Sequence, residues 1–323
     1  MKQKIDISEL YLKLINGDRF ALSRALTLVE STKPKAIQIA RELINKCWLL
    51  DRDSWRIGIT GTPGVGKSSF IEKIGLEAIK KKRKVAVLSI DPSSTISKGS
   101  ILGDKTRMES LSKHPEAFIR PSANKGVLGG TEERTFESMI LCEAAGFDFI
   151  VIETVGVGQS ESRIRDLVDH LTVMVMPGSG DDIQGIKRGL LELANVILIH
   201  KADGDNINAA QSAVKDYHST MQSTNSHNPE NTVVMKASSV TSEGIESYLD
   251  ILKIYFDSSN QLINEIRNKQ LSSLTKTYLS ELITDFAEKK IDTHFTGNTI
   301  KPISEDLSPI EQANIIFKKL NLK

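Results

Sequence analysis

The chain has 323 residues, of which 39% are hydrophobic and 26% charged, and its formal net charge is +1. A chain of this length and composition has ample material for a globular core. A net charge near zero gives no global field for nucleic acid or an acidic membrane, so neither partner is expected. The two cysteines lie far apart and outside any metal-ligating spacing, and no apolar run reaches about 18 residues, so we expect a cytoplasmic protein in a reducing compartment.

The first segment, residues 1–54, is predicted to be a helical extension. The runs LSRALTLVES and KAIQIARELINKCWLL carry apolar residues at helical spacing, and Pro34 lies between them. A short charged stretch, residues 51–54, then connects this extension to a region with a different pattern.

The second segment, residues 55–257, is predicted to be an α/β domain. Short β-branched or apolar runs predict strands, namely WRIGIT, KVAVLSI, FDFIVIET, LTVMVMP, NVILIH and NTVVMKA. Helical patterns lie between most of them, at residues 67–82, 131–145, 182–193 and 207–221, and residues 243–256 form a closing helix. This alternation predicts a mostly parallel sheet covered on both faces.

The third segment, residues 258–323, contains no strand pattern. One long helical pattern runs from QLINEIRNKQ to DFAEKK, and a final helix is expected near Pro309–Leu320 after a polar connector. A helical arm that cannot bury both faces on the sheet needs a partner surface.

A glycine-rich loop follows the first predicted strand and begins the next helix. It fits the pattern G-x-x-x-x-G-K-[ST], in which backbone N–H groups surround phosphate oxygens. Lys67 is predicted to contact the β- and γ-phosphates, and the Ser68 hydroxyl to ligate Mg²⁺. The predicted nucleotide contacts are Gly61, Thr62, Pro63, Gly64, Val65, Gly66, Lys67, Ser68 and Ser69. The fold class is therefore α/β, a P-loop NTPase with a mostly parallel sheet.

Acidic residues follow or neighbour the predicted strands, where ligands bind in open α/β sheets. Asp91 follows VAVLSI, Glu153 follows FDFIVI, and Asp104 lies in the loop KGSILGDKTRM. Together with Ser68 they are predicted to hold Mg²⁺ or its water shell, because this hard cation prefers oxygen ligands. The N–H of Gly156 could bond the γ-phosphate and detect its loss; the alternative is that this glycine only makes a turn. The predicted catalytic set is Lys67, Asp91, Asp104, Glu153 and Gly156.

The stretch HKADGD ends another strand and is predicted to read the base. Asp203 can accept hydrogen bonds from guanine N1–H and N2–H₂, and the stem of Lys201 can lie across the ring. His200 cannot both donate and accept as an asparagine amide does. Its imidazole could reach purine N7 or O6, or tie the P-loop to this strand. The alternative for Asp203 is a helix N-cap.

These motifs, in this order, resemble the MeaB/ArgK-type GTPases, the G-protein chaperones of methylmalonyl-CoA mutase in the SIMIBI class. The resemblance runs from GDRFALSRALTLVES to about residue 250, and its most specific parts are ETVGVGQSE and DDIQGIKRG. His200 stands where the family has Asn, and Ser239 where it usually has Ala.

The resemblance implies a GTPase that binds an adenosylcobalamin-dependent acyl-CoA mutase, gates cofactor loading and protects the mutase from inactivation. It implies that GTP/GDP and Mg²⁺ are bound, that Ser238, Ser239 and Val240 form a loop beside the base, and that residues 179–188 form a switch. It also implies homodimers joined through the C-terminal helices.

Three alternatives remain at this stage. A metal-insertion GTPase of the same class should carry His-rich or Cys/His clusters, whereas the chain has six scattered histidines. A small-molecule kinase would need an acceptor pocket and a lid. A non-catalytic nucleotide-dependent scaffold would bind nucleotide without hydrolysing it.

Overall fold

The computed structural model describes residues 5–50, 52–90, 108–120, 131–154, 164–178, 188–223 and 232–294. The chain divides into two compact units, residues 1–267 and residues 268–323. Several predicted features lie outside the described residues, namely Asp91, Asp104, Gly156, residues 179–187 of the switch and the final helix near Pro309–Leu320. The three predicted segment boundaries remain a prediction.

A seven-stranded sheet forms the centre of the first unit, with the strand order β3-β2-β4-β1-β5-β6-β7. All six neighbouring pairs are parallel. The strands are β1 (Trp55–Gly61), β2 (Val85–Ile90), β3 (Ala117–Arg120), β4 (Phe149–Thr154), β5 (His170–Val175), β6 (Val196–Ile199) and β7 (Val233–Lys236). The predicted α/β class is confirmed, and the sheet is wholly parallel over these strands.

Helices precede, separate and follow the strands. Their bounds are Ile7–Ile15, Arg19–Val29, Pro34–Trp48, Lys67–Lys80, Glu109–Lys113, Thr131–Ala144, Arg188–Leu191, Ile207–Ser223, Ile245–Ser258 and Asn260–His294. Pro34 begins the third helix at its first turn, where a missing N–H costs nothing. The long helical pattern of the arm is confirmed by the helix Asn260–His294.

The apolar strands are explained by burial on both faces of the sheet. Every residue of β1, β2, β4, β5 and β6 is buried. One face packs against the helix Lys67–Lys80 and the helix Ile245–Ser258, whose Phe70 and Tyr248 rings meet edge to face at 5.0 Å. Continuous rather than alternating apolar runs are what such a two-sided sheet requires.

Strand β3 was missed by the sequence analysis. It has only four residues, AFIR, and lies between Pro115 and Pro121. It lies at the edge of the sheet and pairs with a single strand, β2. A strand this short carries too few apolar residues to show a clear pattern in the sequence. A four-residue run bounded by prolines was the available signal.

Both cysteines are free and buried. Burial raises the pKa of the Cys47 thiol to about 12 and raises the pKa of Cys142 as well, so both are held as neutral thiols. Within the described part of the chain, none of the helices has the length and apolar character needed to cross a membrane.

Candidate functional site

The parallel sheet brings the predicted site residues to one edge. The P-loop follows the carboxyl end of β1, Glu153 is the next-to-last residue of β4, and His200 follows β6. Strands β4, β1, β5 and β6 are consecutive neighbours in the sheet. Segments that are distant in sequence therefore meet at the carboxyl edge, as expected for a ligand site in an open α/β sheet.

The P-loop adopts a conformation that requires glycine at two positions. Gly61 has φ +150°, and a Cβ there would lie 2.3 Å from the carbonyl oxygen of Met174 on β5. Gly66 has φ +99° and is the N-cap of the following helix. A side chain at Gly61 would clash with β5, and one at Gly66 would clash with the His200 ring. Both the positive φ angles and these close contacts therefore require glycine.

Lys67 points into this loop. Its Nζ atom donates hydrogen bonds to the carbonyl oxygens of Gly61 at 2.7 Å and Thr62 at 3.2 Å, and the residue is only 7% exposed. The ammonium group is thus held at the centre of the loop, beside the N-terminus of the helix Lys67–Lys80. Both features place positive charge where phosphate oxygens are bound in such loops.

Ser68 and Glu153 are brought together across 85 positions of sequence. The Ser68 hydroxyl donates to Oε1 of Glu153 at 2.9 Å. Glu153 is buried at the end of β4. Two oxygen-bearing side chains in contact beside a phosphate-binding loop are the donor type that Mg²⁺ prefers. In the described residues, no group of three or more His, Cys, Asp or Glu side chains is placed to hold a metal ion.

The loop after β6 and the loop after β7 are joined by side chains. The Ser238 hydroxyl donates to Oδ2 of Asp203 at 2.7 Å, while it accepts from the backbone N–H groups of Val240 at 3.0 Å and Thr241 at 3.1 Å. Asp203 occupies the N-cap position of the short 3₁₀ helix Gly204–Asn206 but makes no capping hydrogen bond. Its carboxylate is therefore directed by Ser238 rather than used as a cap.

Lys201, two positions before Asp203, has an uncommon backbone conformation. Its φ is +58°, in the left-handed region that non-glycine residues rarely adopt. Such outliers are costly and persist where the surrounding structure holds them, often at ligand sites. The exposed Lys201 side chain reaches Met176 at the end of β5, with Nζ 3.9 Å from the sulfur.

His200 lies between the P-loop and the loop after β7. Its Nδ1 is 2.7 Å from the carbonyl oxygen of Val65, and its Nε2 is 2.7 Å from Oγ of Ser239. The ring packs so closely on the loop that a Cβ on Gly66 would lie 2.7 Å from it. Burial lowers the pKa of His200, although the bond to Val65 acts in the opposite direction, so the neutral ring is favoured.

The chain matches a known protein family over most of its length. The family described as "Methylmalonyl Co-A mutase-associated GTPase MeaB" matches residues 22–292. The chain belongs to this family. It is a P-loop GTPase, and the resemblance drawn from the motifs is confirmed.

Individual relatives of the MeaB family agree with this assignment. A protein of Caulobacter vibrioides named "Putative GTPase" is 49% identical over 243 residues, covering 75% of this chain and 74% of the relative. "GTPase ArgK" of Escherichia coli is 47% identical over 206 residues, covering 64% and 62%. The Mus musculus protein "Methylmalonic aciduria type A homolog, mitochondrial" is 36% identical over 336 residues, covering 98% and 80%.

Solved structures agree with the fold. The structure named "LAO/AO transport system kinase" has a TM-score of 0.72 and 29% identity, covering 98% of this chain and 99% of that chain. HypB from Helicobacter pylori in complex with nickel has a TM-score of 0.50 and 17% identity, covering 68% of this chain and 94% of that chain. At that identity, the second likeness extends to the fold alone.

The described site residues of this MeaB-family chain thus fall into two groups at one edge of the sheet. The P-loop, Ser68 and Glu153 form the first, and the residues 200–203 and 238–240 form the second. His200 joins the two groups.

Two features were missed by sequence analysis. The first is the hydrogen bond from Ser238 to Asp203, which no local pattern signals because 35 positions separate the two residues. The second is Ser89, which pairs in register with Glu153 and carries a buried hydroxyl at the carboxyl end of β2. A serine inside the apolar run VAVLSI was the signal for it.

Proposed function

We propose that this chain is a GTP-hydrolysing chaperone of an adenosylcobalamin-dependent acyl-CoA mutase of the methylmalonyl-CoA mutase type. Its role is to gate loading of the mutase cofactor and to protect the mutase from inactivation. The observation that carries this proposal is the family match over residues 22–292, which includes both groups of site residues and whose description names that mutase. The segment 179–188 is proposed as the switch that transmits the nucleotide state.

Roles for the site residues follow from their positions. Lys67 and the P-loop N–H groups bind the β- and γ-phosphates, and Asp203 accepts from guanine N1–H and N2–H₂. Lys201 lies across the base, and residues 238–240 border it. Asp91, Asp104 and Gly156 are proposed to complete the γ-phosphate side of the site.

The donor set suits Mg²⁺. The Ser68 hydroxyl and the Glu153 carboxylate are in contact at 2.9 Å, and both are hard oxygen donors. Ser68 would hold the ion directly, and Glu153 would hold the ion or its water. When bound, Mg²⁺ neutralises negative charge on the β- and γ-phosphates. Glu153, buried near the end of β4, accepts a hydrogen bond from the Ser68 hydroxyl and so fixes the position of that oxygen.

A homodimer is proposed to form through the second unit. Its helix exposes apolar side chains at positions that share one helical face, namely Leu279, Leu282, Ile283 and Phe286. In the full chain, Ile283→Glu should convert a dimer to a monomer in light scattering. Glu281, exposed two positions earlier on the opposite side of the helix, gives the matched control Glu281→Ala, which should remain dimeric. A dimeric Ile283→Glu variant would contradict an interface on this face.

The mutase proposal is tested by measuring GTP turnover with and without purified mutase. Slow turnover alone and faster turnover with a cobalamin-dependent mutase is the expected result, together with co-elution of the two proteins. Fast turnover that no mutase changes would contradict the proposal. The Asp203→Asn variant supplied with XTP serves as the matched control, because any response to XTP must then pass through this chain rather than a contaminating GTPase.

The same assay separates hydrolysis from phosphoryl transfer. A kinase role is suggested by the name of the structure that covers 98% of this chain, "LAO/AO transport system kinase". Release of one inorganic phosphate for each GTP consumed is the result expected of a GTPase. Phosphate that appears instead on an acceptor molecule would favour the kinase.

A further inference from the structure

His200 has both of its ring nitrogens engaged by the protein. The partner of Nδ1 is the carbonyl oxygen of Val65, which can only accept, so Nδ1 carries the proton and donates. In the neutral ring Nε2 then accepts, and the Ser239 hydroxyl donates to it at 2.7 Å. Neither nitrogen is directed at a ligand.

The two partners belong to the two halves of the site. Val65 lies in the P-loop, 135 positions before His200, and Ser239 lies in the base-side loop, 39 positions after it. The ring is also held in place by its neighbours, because it packs on Gly66 and meets the Phe70 ring edge-on at 5.8 Å. His200 is therefore a rigid bridge between the phosphate loop and the base loop.

We propose that His200 and Ser239 form a matched positioning pair that fastens the phosphate loop to the base loop, and that His200 makes no hydrogen bond to the base. The proposal rests on the proposed guanine-nucleotide site. An asparagine side chain at position 200 would need its own partner set, and an alanine at position 239 would leave Nε2 of His200 without its donor. Each of the two side chains therefore needs the other to join the phosphate loop to the base loop.

Specificity then resides in Asp203 alone among the residues of the stretch HKAD. The Asp203 carboxylate is directed by Ser238, a different side chain of the same loop that carries Ser239. Changes to the pair should therefore alter how long a nucleotide stays bound and leave the order of base preference unaltered.

The first measurement uses the unmodified full-length protein and needs no variant. Dissociation constants are compared for GDP and for 7-deaza-GDP, in which a C–H group replaces purine N7. If His200 makes no bond to purine N7, the two constants should agree within about twofold. A loss of about tenfold or more for 7-deaza-GDP, the cost of one good hydrogen bond, would overturn the proposal.

The second measurement is a double-mutant cycle on the GDP dissociation rate, with His200→Asn, Ser239→Ala and the double variant. Because each single change breaks the same bridge, each should speed dissociation about tenfold, and the double variant should be no faster than either single. Ser239→Thr keeps the hydroxyl and should stay close to the unmodified protein. A double variant whose effect is the product of the single effects would overturn the pairing.

The outcomes separate this inference from the function on which it rests. Failure of the unmodified protein to bind GDP at all would overturn the proposed function, and the pair with it. Tight GDP binding with strong discrimination against 7-deaza-GDP would leave the GTPase assignment standing and overturn only the pair.

Discussion

The two edges of the sheet hold their polar groups in different ways. At the amino edge, opposite charges are paired within the protein. Arg56 forms two hydrogen bonds with Glu143, at 2.7 and 3.0 Å, and Arg267 forms two with Asp169, at 2.9 and 2.7 Å. At the carboxyl edge, Lys67 bonds to backbone carbonyls and Asp203 bonds to a serine hydroxyl.

The difference suggests that the polar groups of the amino edge stabilise the fold and that those of the carboxyl edge bind the ligand. A buried charge must be compensated, and an opposite charge with well-aligned hydrogen bonds compensates it inside the protein. Phosphate and guanine offer charge-assisted hydrogen bonds of their own, so a nucleotide can compete for the contacts that Lys67 makes with carbonyls and that Asp203 makes with a hydroxyl. We therefore expect mutations at the amino edge to change stability and mutations at the carboxyl edge to change binding.

The largest expected effect is at the amino edge. Arg56→Met keeps the side-chain bulk but leaves the carboxylate of Glu143, whose side chain is 10% exposed, without the opposite charge of Arg56, although the Ser54 hydroxyl still donates to it. The free energy of unfolding should fall by about 3–5 kcal/mol in denaturant titrations. GDP affinity of the folded fraction should not change. Adding Glu143→Gln to this variant removes the charge and should restore part of the lost stability. A loss below about 1 kcal/mol in Arg56→Met would mean that the pair contributes little to the stability of the fold.

The next effect is at the carboxyl edge, where we expect nucleotide affinity to fall while the free energy of unfolding changes little. Lys67→Ala removes the ammonium group at the centre of the P-loop and should weaken GTP binding by at least about 100-fold, because it loses charge-assisted hydrogen bonds to phosphate. Calorimetry measures the affinity. Lys80, exposed at the other end of the same helix, provides the matched control Lys80→Ala, which should bind GTP normally. Equal affinities in the two variants would contradict the role of Lys67.

The residues of the carboxyl edge were more predictable from sequence than those of the amino edge. The P-loop is a local motif, so its glycines, Lys67 and Ser68 could be named from spacing alone. Glu153 could be named because it ends an apolar strand. The Arg56–Glu143 pair is 87 positions apart and has no motif, because any pairing of a buried arginine with a carboxylate satisfies the same physics.

Long-range contacts also limited the prediction of the site itself. Sequence analysis left two roles open for the His200 imidazole, a bond to the purine or a tie to the P-loop. In the structure the ring nitrogens contact Val65 and Ser239, two residues that lie far from His200 in sequence, so the tie to the P-loop became visible only in the fold. Likewise Asp203 had an N-cap alternative, and only the position of Ser238 shows that its carboxylate is used otherwise.

A smaller effect tests the base-reading side. Asp203→Asn keeps a carbonyl oxygen that can accept from Ser238, and it replaces the other acceptor with an N–H donor. Guanine nucleotides should bind worse by about 1–3 kcal/mol and xanthine nucleotides better, because xanthine has a carbonyl where guanine has its amino group. Competition binding with GTP, XTP and ATP measures this. No gain for XTP, with ATP binding as well as GTP in the unmodified protein, would mean that residues 200–203 are only a turn.

The smallest effect returns to the amino edge, where His170 begins β5 as a buried neutral group. Burial, with a contribution from Arg165, lowers the pKa of His170 to about 3. A histidine in the unfolded chain has a pKa near 6.5, so below about pH 6.5 the unfolded chain binds a proton that the folded chain does not. The free energy of unfolding should therefore fall as pH falls from about 6.5 towards 3.

His170→Phe isolates this contribution. The imidazole packs edge-on against the Tyr255 ring at 5.0 Å, and its buried Nδ1 has no hydrogen-bond partner among the described residues, so a phenyl ring can replace it without breaking a bond at that atom. Between pH 7 and pH 5.5 the unmodified protein should lose about 1 kcal/mol more stability than the variant. Carboxylates titrate alike in both proteins, so the difference between their denaturant midpoints reports His170. Parallel curves over this range would mean that His170 takes up its proton in the folded protein over the same pH range as in the unfolded chain, and that the amino edge tolerates a charge with no partner at Nδ1.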